Sequence, residues 1–161
     1  MKPKHIVIAI CMAACLAPPA QAVTTVNCTV TAGGVAFGIY NPLNAVSDAS
    51  TGTLRVTCTG TGTGSATVTL NLTLNTGMSG TFSTRKMFSG VNALNYNLYW
   101  SAAYTQIMGD GTGGSFGGTA TFVVPAGGSN FATGTVYGLI PASQDVVPGS
   151  YSDVITVTVT Y

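Results

Sequence analysis

The chain has 161 residues, five Lys or Arg against four Asp or Glu, a single His and a formal net charge of +1. Charge this sparse and balanced argues against nucleic-acid partners, which need a basic face. A hydrophobic content of 46% argues against disorder, and the length suffices for one domain with a real core.

Lys2, Lys4 and His5 precede an apolar stretch, Ile6 to Leu16, and Ala20-Gln21-Ala22 forms a small-x-small cleavage site before Val23. This pattern predicts a secretory signal peptide over residues 1–22 and a mature domain over 23–161. The apolar run is too short to span a membrane. Met12-Ala13-Ala14-Cys15 offers a competing lipobox, but the Ala-x-Ala site fits better. Processing after Ala22 removes His5, Cys11 and Cys15 and leaves Arg55, Arg85 and Lys86 against Asp48, Asp110, Asp145 and Asp153.

Two cysteines remain, Cys28 and Cys58, and in an exported chain they predict one disulfide. Cys28 shares parity with Val26 and Val30, and Cys58 with Leu54 and Val56, so both thiols face the apolar side. Closing that loop stabilises the fold by roughly 3–4 kcal/mol in the chain-entropy picture. A metal centre needs more ligands than two cysteines provide, and none is expected.

Almost every mature segment alternates. Val26 to Val30 reads as the first strand, Val35 to Tyr40 as the second and Thr53 to Thr59 as the third. Ala66 to Leu74 follows, with Val68, Leu70, Leu72 and Leu74 inward and threonines outward. In Leu94 to Trp100, Leu94, Tyr96, Leu98 and Trp100 oppose Asn95 and Asn97. Thr119 to Val124, Gly134 to Ile140 and Asp153 to Tyr161 complete the series. Gly, Ser, Asn and Pro clusters separate them, no segment keeps a helical period, and the whole reads as an antiparallel β-sandwich. The last segment puts Ile155, Val157, Val159 and Tyr161 on one face, with nothing following to pair with its far side.

Motifs that resemble chemistry have plainer readings. Gly109 to Gly114 satisfies G-x-G-x-x-G but lacks the flanking parallel strand and helix of a dinucleotide site. Asp110 among glycines reads as a turn residue rather than a calcium ligand. With no mature His or Glu, no nucleophile–base arrangement can be assembled; no catalytic residues, cofactor or enzyme activity are expected. Arg85-Lys86, with Met78, Phe82, Met87 and Phe88 nearby, reads as a long crossover whose apolar residues fold back; an exposed contact loop is the alternative. Tyr99, Trp100 and Tyr104 suit a binding patch, although Trp100 has core parity.

Several segments together resemble the spore coat protein U domain of archaic chaperone–usher pilus subunits. They are Cys28-Thr29-Val30, Val35-Ala36-Phe37-Gly38-Ile39-Tyr40-Asn41-Pro42, Leu54-Arg55-Val56-Thr57-Cys58 and Leu94-Asn95-Tyr96-Asn97-Leu98-Tyr99, followed by Gly109-Asp110-Gly111, Val136-Tyr137-Gly138-Leu139-Ile140-Pro141-Ala142 and Gly149-Ser150-Tyr151-Ser152-Asp153. The resemblance implies an all-β, incomplete immunoglobulin-like sandwich, pilin-like and missing its final strand. It implies a periplasmic chaperone, an outer-membrane usher and a neighbouring subunit's donor strand as partners, and export to a cell-surface pilus active in adhesion or biofilm formation. The candidate acceptor groove is then Ile155, Val157, Val159 and Tyr161 with Val26 and Val30 from the opposite rim. An unpaired apolar edge strand is an aggregation hazard that a strand from another chain relieves.

One departure stands out. A donor segment needs about ten residues, since a strand advances about 3.3 Å per residue, yet only Val23 to Asn27 separate the expected cleavage point from Cys28. A subunit that accepts a strand but gives none is expected to end a fibre at its tip or to cap a minor assembly, rather than to form the shaft. The alternative is a free-standing secreted or coat protein with a self-complete sandwich.

Overall fold

The structure is a computed structural model and describes residues 24–161. The expected signal peptide and its cleavage site lie outside the described residues. Ten strands account for the fold: β1 Thr25–Gly33, β2 Asp48–Thr61, β3 Ala66–Leu74, β4 Arg85–Ser89, β5 Asn92–Tyr99, β6 Ile107–Met108, β7 Ser115–Phe116, β8 Gly118–Val124, β9 Ser129–Ile140 and β10 Val157–Thr160. Among the described residues one 3₁₀ turn, Gly77–Ser79, interrupts them.

The strands form two sheets. The larger runs β1-β2-β9-β5-β6-β7, with β4 on β5, and the smaller runs β10-β3-β8. All pairings are antiparallel except β6 with β7. Threonines cover the outer faces, while Leu54 and Val56 on β2 meet Leu70 and Leu74 on β3 across the interior. Two apolar clusters fill it, one around Leu54, Leu98, Met108 and Ile140, the other around Val56, Cys58, Val68 and Val124.

β1 and β2 pair with Cys28 directly opposite Cys58, and the two are disulfide-bonded, as their shared inward parity predicts. β3 has the bounds expected from its alternation.

Four expectations need correction. Val35 to Tyr40 is not a strand. Its alternation is a burial pattern without pairing: Val35 and Phe37 pack onto the core, and Phe37 meets Tyr96 edge to face with ring centroids 6.1 Å apart. Their side chains fit because position 138 on β9 is glycine; a Cβ there would sit 2.6 Å from both. Gly38, at φ +79°, then turns the chain out of the extended direction.

Arg85 and Lys86 belong to β4 rather than to a loop, and Arg85 is fully buried. Phe82 and Met87 do fold back into the interior, whereas Met78 remains exposed. Asn97, expected outside, is also buried: its amide donates to the carbonyls of Phe82 and Ser83, and its oxygen accepts from Arg85 Nη1 at 2.8 Å. Finally, the terminal strand is shorter than expected. Regular pairing spans Val157–Thr160, although residues 153–156 keep the alternating exposure.

Candidate strand-acceptor groove

Among the described residues, β1 is an edge of the larger sheet and β10 an edge of the smaller. The two edges border one seam. In antiparallel pairs, alternate residues point their backbone groups away from the neighbouring strand. On β10 the Thr156 carbonyl accepts from Asn75 N–H at 3.1 Å, so Thr156, Thr158 and Thr160 turn their backbone towards β3. Val157 and Val159 therefore present theirs to the seam. On β1 the Cys28 N–H faces the seam, where the Tyr161 hydroxyl accepts it at 3.1 Å. Val26, Val30 and Ala32 share that parity.

The same residues direct their side chains inward. Ile155 and Val157 pack against the first core cluster, and Val26 and Val159 against the second. Tyr161 is 56% exposed and bridges the rims, while Val30 is 38% exposed and outside both clusters. Val26, Ile155, Val157 and Val159 thus line the seam, Tyr161 spans it, and the Val30 side chain stands partly exposed beside it.

Between Gly33 on one side and Tyr151 to Val157 on the other, the seam opens into a cavity of about 310 Å³. Its floor is Leu54, Leu98 and Val136, with Met87 and Tyr96 alongside. A second cavity of about 580 Å³ adjoins it, sharing Val35, Phe37, Met87 and Tyr151. The floor residues carry a sequence signal, inward parity, but that signal does not separate a covered core position from one left open by a missing strand.

One polar pair stands in this apolar channel. Tyr96 O–H donates to Asp153 Oδ2 at 2.7 Å, and Asp153 Oδ1 accepts the N–H groups of Met78 at 2.9 Å and Val154 at 2.8 Å. Burial, reinforced by the bond to Asp153, raises the Tyr96 phenol above its ordinary pKa. Behind it, Arg85 Nη2 donates to the carbonyls of Asn75 at 2.9 Å and Met108 at 2.7 Å. Burial lowers the pKa of this guanidinium from its ordinary value, while Tyr96 and Asp153 oppose the shift. Asn97 and Asp153 were missed as site residues, although Asp153 shares the inward parity of Ile155 and Val157.

The other candidates take their plain roles. Asp110 Oδ1 accepts from Thr112 Oγ1 and N–H at 2.7 and 2.8 Å, a turn closed on itself, and those bonds lower its pKa. Trp100 packs on the core and donates through Nε1 to the Phe116 carbonyl. Tyr99 and Tyr104 stack edge to face at 5.4 Å. Among the described residues no three His, Cys, Asp or Glu side chains are grouped as a metal site.

The fold has a counterpart among solved structures. It is similar to a chain in the crystal structure of the CsuC–CsuE chaperone–tip adhesion subunit pre-assembly complex from archaic chaperone–usher Csu pili of Acinetobacter baumannii, with a TM-score of 0.56 and 17% identity. That match covers 85% of this chain and 40% of the other, so this protein spans less than half the length of its structural counterpart. No curated protein matches the sequence significantly. A family profile does, across residues 15–158, and the chain belongs to the Spore Coat Protein U domain family.

Proposed function

We propose that this protein is a structural subunit of an archaic chaperone–usher pilus, completed by a β-strand from another chain. The observation that carries this reading is the seam itself: two sheet edges with outward-facing backbone groups above an apolar cavity of about 310 Å³. An inserted strand satisfies both sets of groups and covers the floor at once. Membership of the Spore Coat Protein U domain family and the likeness to a chain of a chaperone–subunit complex support it. In this reading a periplasmic chaperone fills the seam first, and a neighbouring subunit's segment replaces it during passage through an outer-membrane usher. The role is structural and adhesive at the cell surface rather than catalytic.

The tip position is part of the same proposal. β1 begins at Thr25 and is already committed to β2, so cleavage after Ala22 leaves only two residues ahead of it, too few to complete a neighbour.

The test is refolding of the disulfide-bonded chain with and without a ten-residue peptide of alternating apolar residues. Acceptance of a strand raises the unfolding midpoint and suppresses aggregation. A soluble monomer that unfolds cooperatively and ignores every peptide supports a self-complete coat protein instead. Stabilisation by a peptide copied from the chain's own mature N-terminus overturns the tip assignment.

A further inference from the structure

The acceptor groove is not chemically uniform along its length. Asp153, Ile155, Val157 and Val159 alternate inward on one rim, so a strand laid beside that rim meets them at every second residue. Three of the four are apolar. The fourth is a carboxylate that lines the cavity beside Tyr96 and Met87.

An ionised carboxylate accepts about four hydrogen bonds, and Asp153 already takes three, from Tyr96 O–H, Met78 N–H and Val154 N–H. Its Oδ2 holds only the phenol. The nearby Arg85 directs its Nη1 and Nη2 bonds to Asn97, Asn75 and Met108, not to this carboxylate. An all-apolar strand laid over the seam would therefore remove a negative charge from water without supplying a donor, which is costly. A cationic side chain at that register position supplies both charge and donor.

We propose that Asp153 sets the register of the strand this protein accepts: a segment of a partner chain with apolar side chains facing Ile155, Val157 and Val159, and a Lys or Arg facing Asp153. The inference rests on the strand-acceptor reading above and goes beyond it by giving the occupant a charge and a fixed alignment. Because the carboxylate lies at the start of the rim, the cation lies near the C-terminal end of an antiparallel occupant and near the N-terminal end of a parallel one.

The test uses the full mature chain, refolded with its disulfide intact, and fluorescently labelled ten-residue peptides read by anisotropy. One peptide carries Lys at the C-terminal inward position, one at the N-terminal inward position, and each has a Lys→Leu partner. The better Lys peptide binds about tenfold tighter than its Leu partner, the worth of one charge-assisted hydrogen bond. Asp153→Asn abolishes that preference. Tyr96→Phe, which frees Oδ2, raises it by about threefold, and this variant carries the test should Asp153→Asn fail to fold. Equal or tighter binding of the Leu peptides to the unaltered chain overturns the proposal, as does a preference indifferent to both substitutions. Binding of no peptide at all overturns the strand-acceptor reading, a result distinct from binding without Lys preference.

Discussion

The two rims of the seam are built to different standards. β1 pairs with β2 in continuous register from Thr25 opposite Thr61 to Gly33 opposite Thr53, and the disulfide fastens its middle. β10 holds β3 over only four residues, Val157 to Thr160, and the residues before it are secured by scattered contacts: Asn75 N–H on the Thr156 carbonyl, Asn75 Oδ1 on Thr156 N–H, the Phe88–Ser152 backbone pair, and Asp153 on Met78 N–H. One border is fixed in place; the other has the few backbone bonds expected of a locally adaptable element. If the seam accepts a strand as proposed, that strand meets one rigid guide and one that can adjust.

Breaking the fixed rim should give the largest effect. Replacing both Cys28 and Cys58 by Ser removes a cross-link between residues 30 apart and should lower stability by roughly 3–4 kcal/mol in urea unfolding. An unchanged midpoint would show that register alone holds β1. On the weaker side, Leu74 lies opposite Val157 and is 2% exposed. Leu74→Ala should cost about 2–4 kcal/mol, and hydrogen exchange should show β10 protection falling more than that of β1.

A pH series sharpens the contrast further. The Tyr96 phenol, raised above its ordinary value of 10.0 chiefly by burial, favours the folded state while it stays protonated. That contribution is fully present below pH 10 and is lost as pH rises towards the folded value. Stability should therefore decline above pH 10, with a shallower decline in Tyr96→Phe; identical alkaline limbs would count against the buried phenol. The smallest effect belongs to the bridge between rims. Tyr161→Phe removes one partly solvated hydrogen bond and should cost no more than about 1 kcal/mol, yet Cys28 amide exchange should quicken while its neighbours on β1 stay protected.

Much of this organisation is legible in the residues. Strict alternation places β3 to the residue, and the cysteine pair left in an exported chain, supported by shared parity, gives the Cys28–Cys58 bond. What alternation does not encode is the partner. Val35 and Phe37 alternate like a strand but pack over Gly138 without pairing, a contact decided by a residue a hundred positions away. β4 hides because the first of its two inward residues is Arg85, a charge tolerated only where Asn97 and two carbonyls meet it. The groove shows the same division. Its rim residues follow from the apolar face of the last segment, whereas its floor and the Asp153–Tyr96 pair emerge only when two distant strands are set side by side.

The sulfur link joins neighbours within one sheet, so it does nothing to clamp one layer upon the other along this border. That task falls to Val26, Val159 and the aliphatic groups they touch, with the Tyr161–Cys28 hydrogen bond beside them. Cooling or mild urea weakens such contacts while leaving the covalent tie intact. The molecule should then part along this margin like a book opened at its fore-edge, with each page still whole.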